Sequence, residues 1–206
     1  MLTYYLSSLG CAKNQVDSEM MLGILSRLGY QRVEQPEIAE IIIINTCGFI
    51  ADAKEESIQT ILELARFKET GSCHFLVVTG CLVEKYRQDL AGELPEVDGW
   101  LGTKEYHRIG ALLAKLQGVA LLEPCEDIQS LYAKRKLLTP PYTAYMKIAE
   151  GCNNRCAYCL IPQLRGALHS VPLEVLLAEA AHLKATGVEE ILLIAQDTSN
   201  YGRDLY

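Results

Sequence analysis

Eight cysteines punctuate this sequence: Cys11, Cys47, Cys73, Cys81, Cys125, Cys152, Cys156 and Cys159. The last three form Cys152-Asn153-Asn154-Arg155-Cys156-Ala157-Tyr158-Cys159, a C-x3-C-x2-C triplet preceded by Gly151. Thiolates are natural ligands of iron–sulfur clusters, and three on one tight loop can hold three irons of a 4Fe-4S cubane. The fourth iron then has no protein ligand, and an open metal position is what a catalytic site requires. The methionine end of S-adenosylmethionine is a chelating amino acid that can fill it. A closed zinc site with His169 as fourth ligand is the competing reading, but that spacing is loose and no second knuckle follows.

Cys11, Cys47 and Cys81 form a second set. They stand 36 and 34 residues apart, about one β-α-β period each, and each follows a strand-like run. In a parallel sheet, residues just past the carboxyl ends of the strands share one rim, where α/β proteins bind ligands. Gly10, Gly48 and Gly80 flank the three thiols and allow a bulky group to come close to the backbone. Three thiols again leave one iron open. Buried packing cysteines are an even competitor for this set alone. Cys73 precedes its strand and Cys125 lies in a linker, so neither is read as a ligand.

The elements that must carry these residues follow from periodicity. Residues 2–8 read as a strand, and Asp17 reads as the cap of a helix with apolar Met20, Met21, Ile24, Leu25 and Leu28. Ile41–Asn45 is a continuous apolar strand, as in a sheet covered on both faces. A long amphipathic helix follows, with Ile50, Ala53, Ile58, Ile61, Leu62 and Leu64 on its expected buried side. Phe75–Thr79 and Asp98–Leu101 read as strands, Val83–Leu90 and Glu105–Gln117 as helices. This alternation predicts an α/β fold, a doubly wound parallel sheet over 1–118. Pro124, Lys134-Arg135-Lys136 and Pro140-Pro141 mark 119–139 as a linker. A strand over Thr143–Ala149, a helix from Pro172 to Thr186 and a strand over Glu190–Ala195 make one βαβ unit, the start of a second domain over 140–206. One such unit leaves an open edge and an uncovered apolar face, so the chain reads as a piece of a longer protein.

Composition excludes some classes. Half the residues are hydrophobic, 22% are charged, and the net charge is -7. No apolar run approaches the roughly 20 residues of a membrane helix, and the first residues lack a basic n-region. The cytoplasm is the default localisation, where so many thiols point to metal or redox chemistry. An acidic chain does not grip nucleic acid by charge alone, so direct nucleic-acid binding is not expected of it. A basic protein is a better match.

At these residues the sequence resembles the radical S-adenosylmethionine methylthiotransferases along essentially its whole length. The C-x3-C-x2-C triplet is that family's radical-enzyme motif and is followed, as there, by Ile161-Pro162 and Arg165-Gly166. The stretches Ser8–Glu19, Asn45–Ile50 and Gln196–Gly202 resemble the branch acting on an aspartate of ribosomal small-subunit protein twelve. The resemblance implies a transferase with two 4Fe-4S clusters, one on Cys152, Cys156 and Cys159, the other on Cys11, Cys47 and Cys81. It implies S-adenosylmethionine as cofactor, hydrogen abstraction from the aspartate β-carbon, sulfur supplied through the second cluster, and an electron donor not identifiable from sequence. It puts Tyr158 near the adenine, and Gln196 and Asp197 where a barrel of this kind meets its cofactor; a polar turn is the bland reading of that pair. It implies the rest of a radical-enzyme barrel, of which 140–206 is the first βαβ part. The same chemistry on a tRNA adenosine, or an inactive iron–sulfur module, are the alternatives.

Overall fold

The computed structural model describes residues 2–120 and 131–205. The first unit is a five-stranded parallel sheet in the order β2-β1-β3-β4-β5. Its strands are β1 (Thr3–Ser8), β2 (Gln31–Arg32), β3 (Ile41–Thr46), β4 (Phe75–Gly80) and β5 (Gly99–Leu101). The helices are α1 (Ala12–Arg27), α2 (Ala51–Ala65), α3 (Phe67–Thr70), α4 (Cys81–Glu93) and α5 (Ile109–Leu116). Order reverses between β1 and β3, which creates a switch point at the carboxyl rim.

The pleat explains why β3 is apolar throughout. Ile41 and Ile43 face one core with Met20, Leu25 and Ile109, whereas Ile42 and Ile44 face another with Ile61 and Val83. Both faces are covered, as a continuous apolar strand requires. Register then aligns the strand ends: Ser8 pairs with Asn45, and Asn45 with Thr79. Cys11, Cys47 and Cys81 follow this row by two or three residues.

The second unit pairs β6 (Thr143–Lys147) in parallel with β9 (Glu190–Ile194), and α7 (Leu173–Ala185) connects them. A short antiparallel pair, β7 (Ala149–Glu150) with β8 (His169–Ser170), and the single turn α6 (Ile161–Leu164) frame the cysteine loop. The strand expected over Thr143–Ala149 is therefore split, with Ile148 between its two parts. Met146, Ile148, Val171 and Leu176 join the same buried cluster as Tyr4, Leu6 and Met20, so one core runs through both units.

Three expectations change. Asp17 does not cap α1; Cys11 occupies that position, and Asp17 lies buried inside the helix. The reason is that α1 is covered twice, by the sheet and by the second unit, so its polar side chains Asn14, Asp17, Ser18 and Glu19 are buried too. On α2 the inward face is Ser57, Ile61 and Ala65, one step of four each. Ile50, Ile58 and Leu62 of the expected face are instead exposed, at 54%, 37% and 43%. Within 131–139, Leu131, Tyr132 and Arg135 are buried rather than solvated as linker residues. Cys125 lies outside the described residues.

Candidate metal centre

The loops after β1, β3 and β4 bring three cysteines to one rim. Cys11 is the N-cap of α1, Cys47 directly follows β3, and Cys81 is the first residue of α4. Polar side chains fix these loops. Asn14 donates from Nδ2 to the carbonyls of Leu9 (2.9 Å) and Thr46 (3.0 Å), tying the first loop to the second. Ser57 Oγ donates to the Cys47 carbonyl at 2.9 Å and accepts from its N–H at 3.1 Å. Thr46 Oγ1 donates to the Thr79 carbonyl at 2.6 Å.

The second triad faces the first. All six cysteines line one cavity of about 570 Å³ between the two units. The loop carrying Cys152 is closed by a bond from its N–H to the Gly166 carbonyl at 3.1 Å, and Cys159 N–H bonds the Cys156 carbonyl at 3.0 Å. Arg155, between the first two cysteines, has a φ of 51°. A left-handed conformation at a non-glycine residue costs roughly 1–2 kcal/mol and persists where surrounding structure imposes it.

Two glycines show how tightly the rim is drawn. Gly10 has φ +88°, and a Cβ there would stand 2.7 Å from Cys47 Cβ and 3.0 Å from its Sγ. Gly80 has φ +102°, and a Cβ there would stand 2.4 Å from the Thr46 carbonyl oxygen. Only glycine lets the cysteine-bearing loops meet in this way.

The cavity suits a cluster better than a single ion. Among the described residues no three Cys, His, Asp or Glu groups are gathered closely enough to hold one metal. A cubane does not ask for that, because each thiolate binds a separate iron. His169, weighed as a zinc ligand, is exposed on β8 and lines a different, smaller cavity. Cys73 is buried at the opposite end of β4, where its thiol reaches the Phe75 carbonyl at 3.5 Å. Lys13 and Arg155 line the cavity and no carboxylate is among its described lining residues, a balance that suits an anionic occupant; the Arg165 charge is matched by Asp17 and Glu150 behind the wall. Phe49, Ile50, Ile161 and Pro162 add apolar wall. Burial pushes the Cys81 thiol up to about 11, against the pull of the Arg165 charge. Ligation by a metal cation reverses that burial effect, since a coordinating thiol is deprotonated.

A buried charge network connects the units behind this cavity. Lys147 Nζ lies 2.5 Å from Asp17 Oδ1 and 2.9 Å from Glu150 Oε2. Arg165 Nη1 lies 2.6 Å from Asp17 Oδ2 and 3.0 Å from Glu150 Oε2. Glu150 is partly buried, and the charges of Lys147 and Arg165 outweigh that burial and hold its carboxyl down at about 2. Arg135 pairs with both Glu19 and Glu179 deeper in the core.

The other anticipated site residues divide. Gln196 lines the cavity and donates to Glu150 Oε1 at 2.9 Å, while its own carbonyl oxygen is buried without a hydrogen bond in the protein. Asp197 accepts from Ser199 N–H and from Asn200 Nδ2 (2.7 Å), the pattern of a polar turn, and borders a separate cavity beside Cys152. Tyr158 is 89% exposed and is not among the cavity-lining residues. Sequence reasoning missed Asn14, Ser57, Lys147 and Glu150. The available signal was polar side chains at positions where α1, α2 and β6 need apolar ones.

Known proteins carry the same parts in the same order. The family described as "Uncharacterized protein family UPF0004" matches residues 3–102, and the Radical SAM superfamily matches 146–206. The ribosomal protein uS12 methylthiotransferase RimO of Anaeromyxobacter sp. (strain K) is 51% identical over 202 residues, covering 98% of this chain and 43% of that protein. RimO of Geotalea uraniireducens (strain Rf4) is 52% identical over 204 residues, 97% of this chain and 46% of the relative. RimO of Clostridioides difficile (strain 630) is 46% identical over 209 residues, 100% of this chain and 47% of the relative. The chain thus spans a little under half the length of these relatives. Among solved structures, the radical S-adenosylmethionine methyltransferase TsrM of Kitasatospora setae, with tryptophan and a SAM analogue bound, superposes with a TM-score of 0.62. It is 13% identical, covering 95% of this chain and 48% of that one, and it shares the α/β fold. The chain thus carries a UPF0004 region followed by a radical SAM region, and along nearly its whole length it is similar to a little under half the length of the RimO methylthiotransferases.

Proposed function

We propose that this chain is the cluster-bearing part of an enzyme that methylthiolates the β-carbon of an aspartate in ribosomal protein uS12. The observation that carries the proposal is the single cavity lined by all six cysteines. Cys152, Cys156 and Cys159 would hold one 4Fe-4S cluster with an iron left for S-adenosylmethionine, and Cys11, Cys47 and Cys81 would hold a second. Bound there, the first cluster supplies the electron that splits S-adenosylmethionine reductively, drawn from an external donor. The names of the relatives support uS12 as substrate.

The chain's own residues do the positioning. Residues 1–118 carry one triad and 140–206 the other, and the Asp17–Lys147–Glu150–Arg165 network keeps the two facing. Phe49, Ile50, Ile161 and Pro162 give the space between them an apolar wall. Gln196 lines that space and is held there by its bond to Glu150, in reach of a cofactor bound beside the second triad. Tyr158, exposed beside Cys159, offers a ring to an adenine arriving from solvent. Asp197 holds the turn after β9. Among the described residues no helix is long and apolar enough to cross a membrane; the reaction belongs in the cytoplasm, with the ribosome.

Deletion of the gene tests the substrate. Mass spectrometry of uS12 should show loss of the methylthio group from one aspartate, with tRNA methylthioadenosine unchanged. The reverse pattern would move the activity to tRNA.

A further inference from the structure

One guanidinium stands between the two triads. Arg165 directly follows α6 and is 4% exposed. Its Nη1 donates to Asp17 and Glu150, and its Nη2 donates to Asn14 Oδ1 at 2.7 Å. It lines the same cavity as Cys81, and its charge acts on that thiol against the effect of burial. Each partner leads to a cysteine loop. Asn14 binds the carbonyls of Leu9 and Thr46, which precede Cys11 and Cys47. Glu150 ends β7, two residues before Cys152. The residue after Arg165, Gly166, accepts from the Cys152 N–H. One planar side chain is therefore linked, directly or through one intermediary, to the loops of Cys11, Cys47 and Cys152, and its charge reaches Cys81.

The residue type matters. Three oxygens from three different residues lie around a fixed fork of five N–H donors, which lysine cannot reproduce. Lys147 and Arg165 match Asp17 and Glu150 in number, so the network carries no surplus charge of its own. Loss of the Arg165 charge leaves two carboxylates with one cation close to the first triad. Hydrogen bonds to ligand sulfurs and nearby positive charge are the levers by which a protein raises a cluster's reduction potential.

We infer that Arg165 is a positioning residue that locks the first cysteine triad to the second unit and raises the reduction potential of the cluster held by Cys11, Cys47 and Cys81. The inference rests on the reading that this triad holds a cluster.

The test uses the whole protein with Cys152, Cys156 and Cys159 replaced by alanine, so that iron binds only at the first triad. Arg165→Lys and Arg165→Gln are added to this parent. Each protein is reconstituted anaerobically, its iron counted, and its cluster titrated with electron paramagnetic resonance detection; circular dichroism of the metal-free forms checks folding. The midpoint potential should shift to more negative values in Arg165→Gln, with an altered spectrum, and by less in Arg165→Lys, which keeps the charge but not the fork. Should the glutamine variant not fold, the lysine variant decides by the same two signals. Folded variants with the parent's potential and line shape would overturn the inference. A parent without iron at the first triad would overturn the cluster reading beneath it, and this inference with it.

Discussion

Gly10 is where a single methyl group decides whether the first triad can form. Its positive φ costs an alanine roughly 1–2 kcal/mol, and the new Cβ would overlap Cys47. Gly10→Ala should lower the denaturation free energy by at least that amount and cut iron bound at the first triad, which denaturant unfolding and an iron-to-protein ratio would check. Glu179 offers a second residue-scale test. Arg135 Nη2 stands 2.8 Å from its carboxylate without hydrogen-bond alignment, and the Arg135 charge is shared with Glu19. Burial is the larger effect, and the Glu179 carboxyl is pushed up to about 7. A carboxyl raised on folding takes up a proton, so its stabilisation is complete below the unfolded value near 4.3 and fades as pH rises to 7. Wild type should lose on the order of 3 kcal/mol relative to Glu179→Gln across that window, read as the difference between their unfolding free energies at pH 4.5 and pH 8. A pH-independent difference would show that Glu179 stays ionised.

At the scale of elements, the sequence was most legible where chemistry is local. The C-x3-C-x2-C loop needs no fold to be recognised, and the rim triad needs only the β-α-β period, since register puts Ser8, Asn45 and Thr79 in one row. The partners of Arg165 were hidden, because Asp17 and Asn14 are 148 and 151 residues away in sequence. Asp17 resembles a cap because aspartate favours that position; only the second unit covering α1 explains it as a buried counter-ion. Asp17→Asn should therefore cost about 3–5 kcal/mol, the penalty for breaking a buried charge set, where a cap would cost about 1. The face of α2 was misread because the helix has two apolar stripes, and only Ile61 of the larger residues turns fully inward. Ile61→Ala should cost about 2–5 kcal/mol, and Leu62→Ala should stay within about 0.5 kcal/mol. Urea melts of the three variants give these values.

For the whole molecule, the sequence suggested two units, 1–118 and 140–206, divided by a linker. The continuous cluster from Tyr4 and Met20 to Met146 and Leu176, with the Asp17–Lys147–Arg165 bridges through it, gives the units a common core. Thermal unfolding of the metal-free chain should show one transition by both fluorescence and circular dichroism. Two separated transitions would return the units to independence. Fold and resemblance were legible from motif and period, whereas the packing that sets the two triads face to face depends on contacts no local pattern encodes.

Metal analysis of the anaerobically reconstituted protein tests the central claim most directly. Two cubanes in one cavity predict about eight irons and as many sulfides per chain. Replacing Cys152, Cys156 and Cys159 by alanine should halve both and abolish 5'-deoxyadenosine formation. Replacing Cys11, Cys47 and Cys81 should also halve both while 5'-deoxyadenosine formation continues. Zinc in place of iron, or iron unchanged after either replacement, would contradict the account.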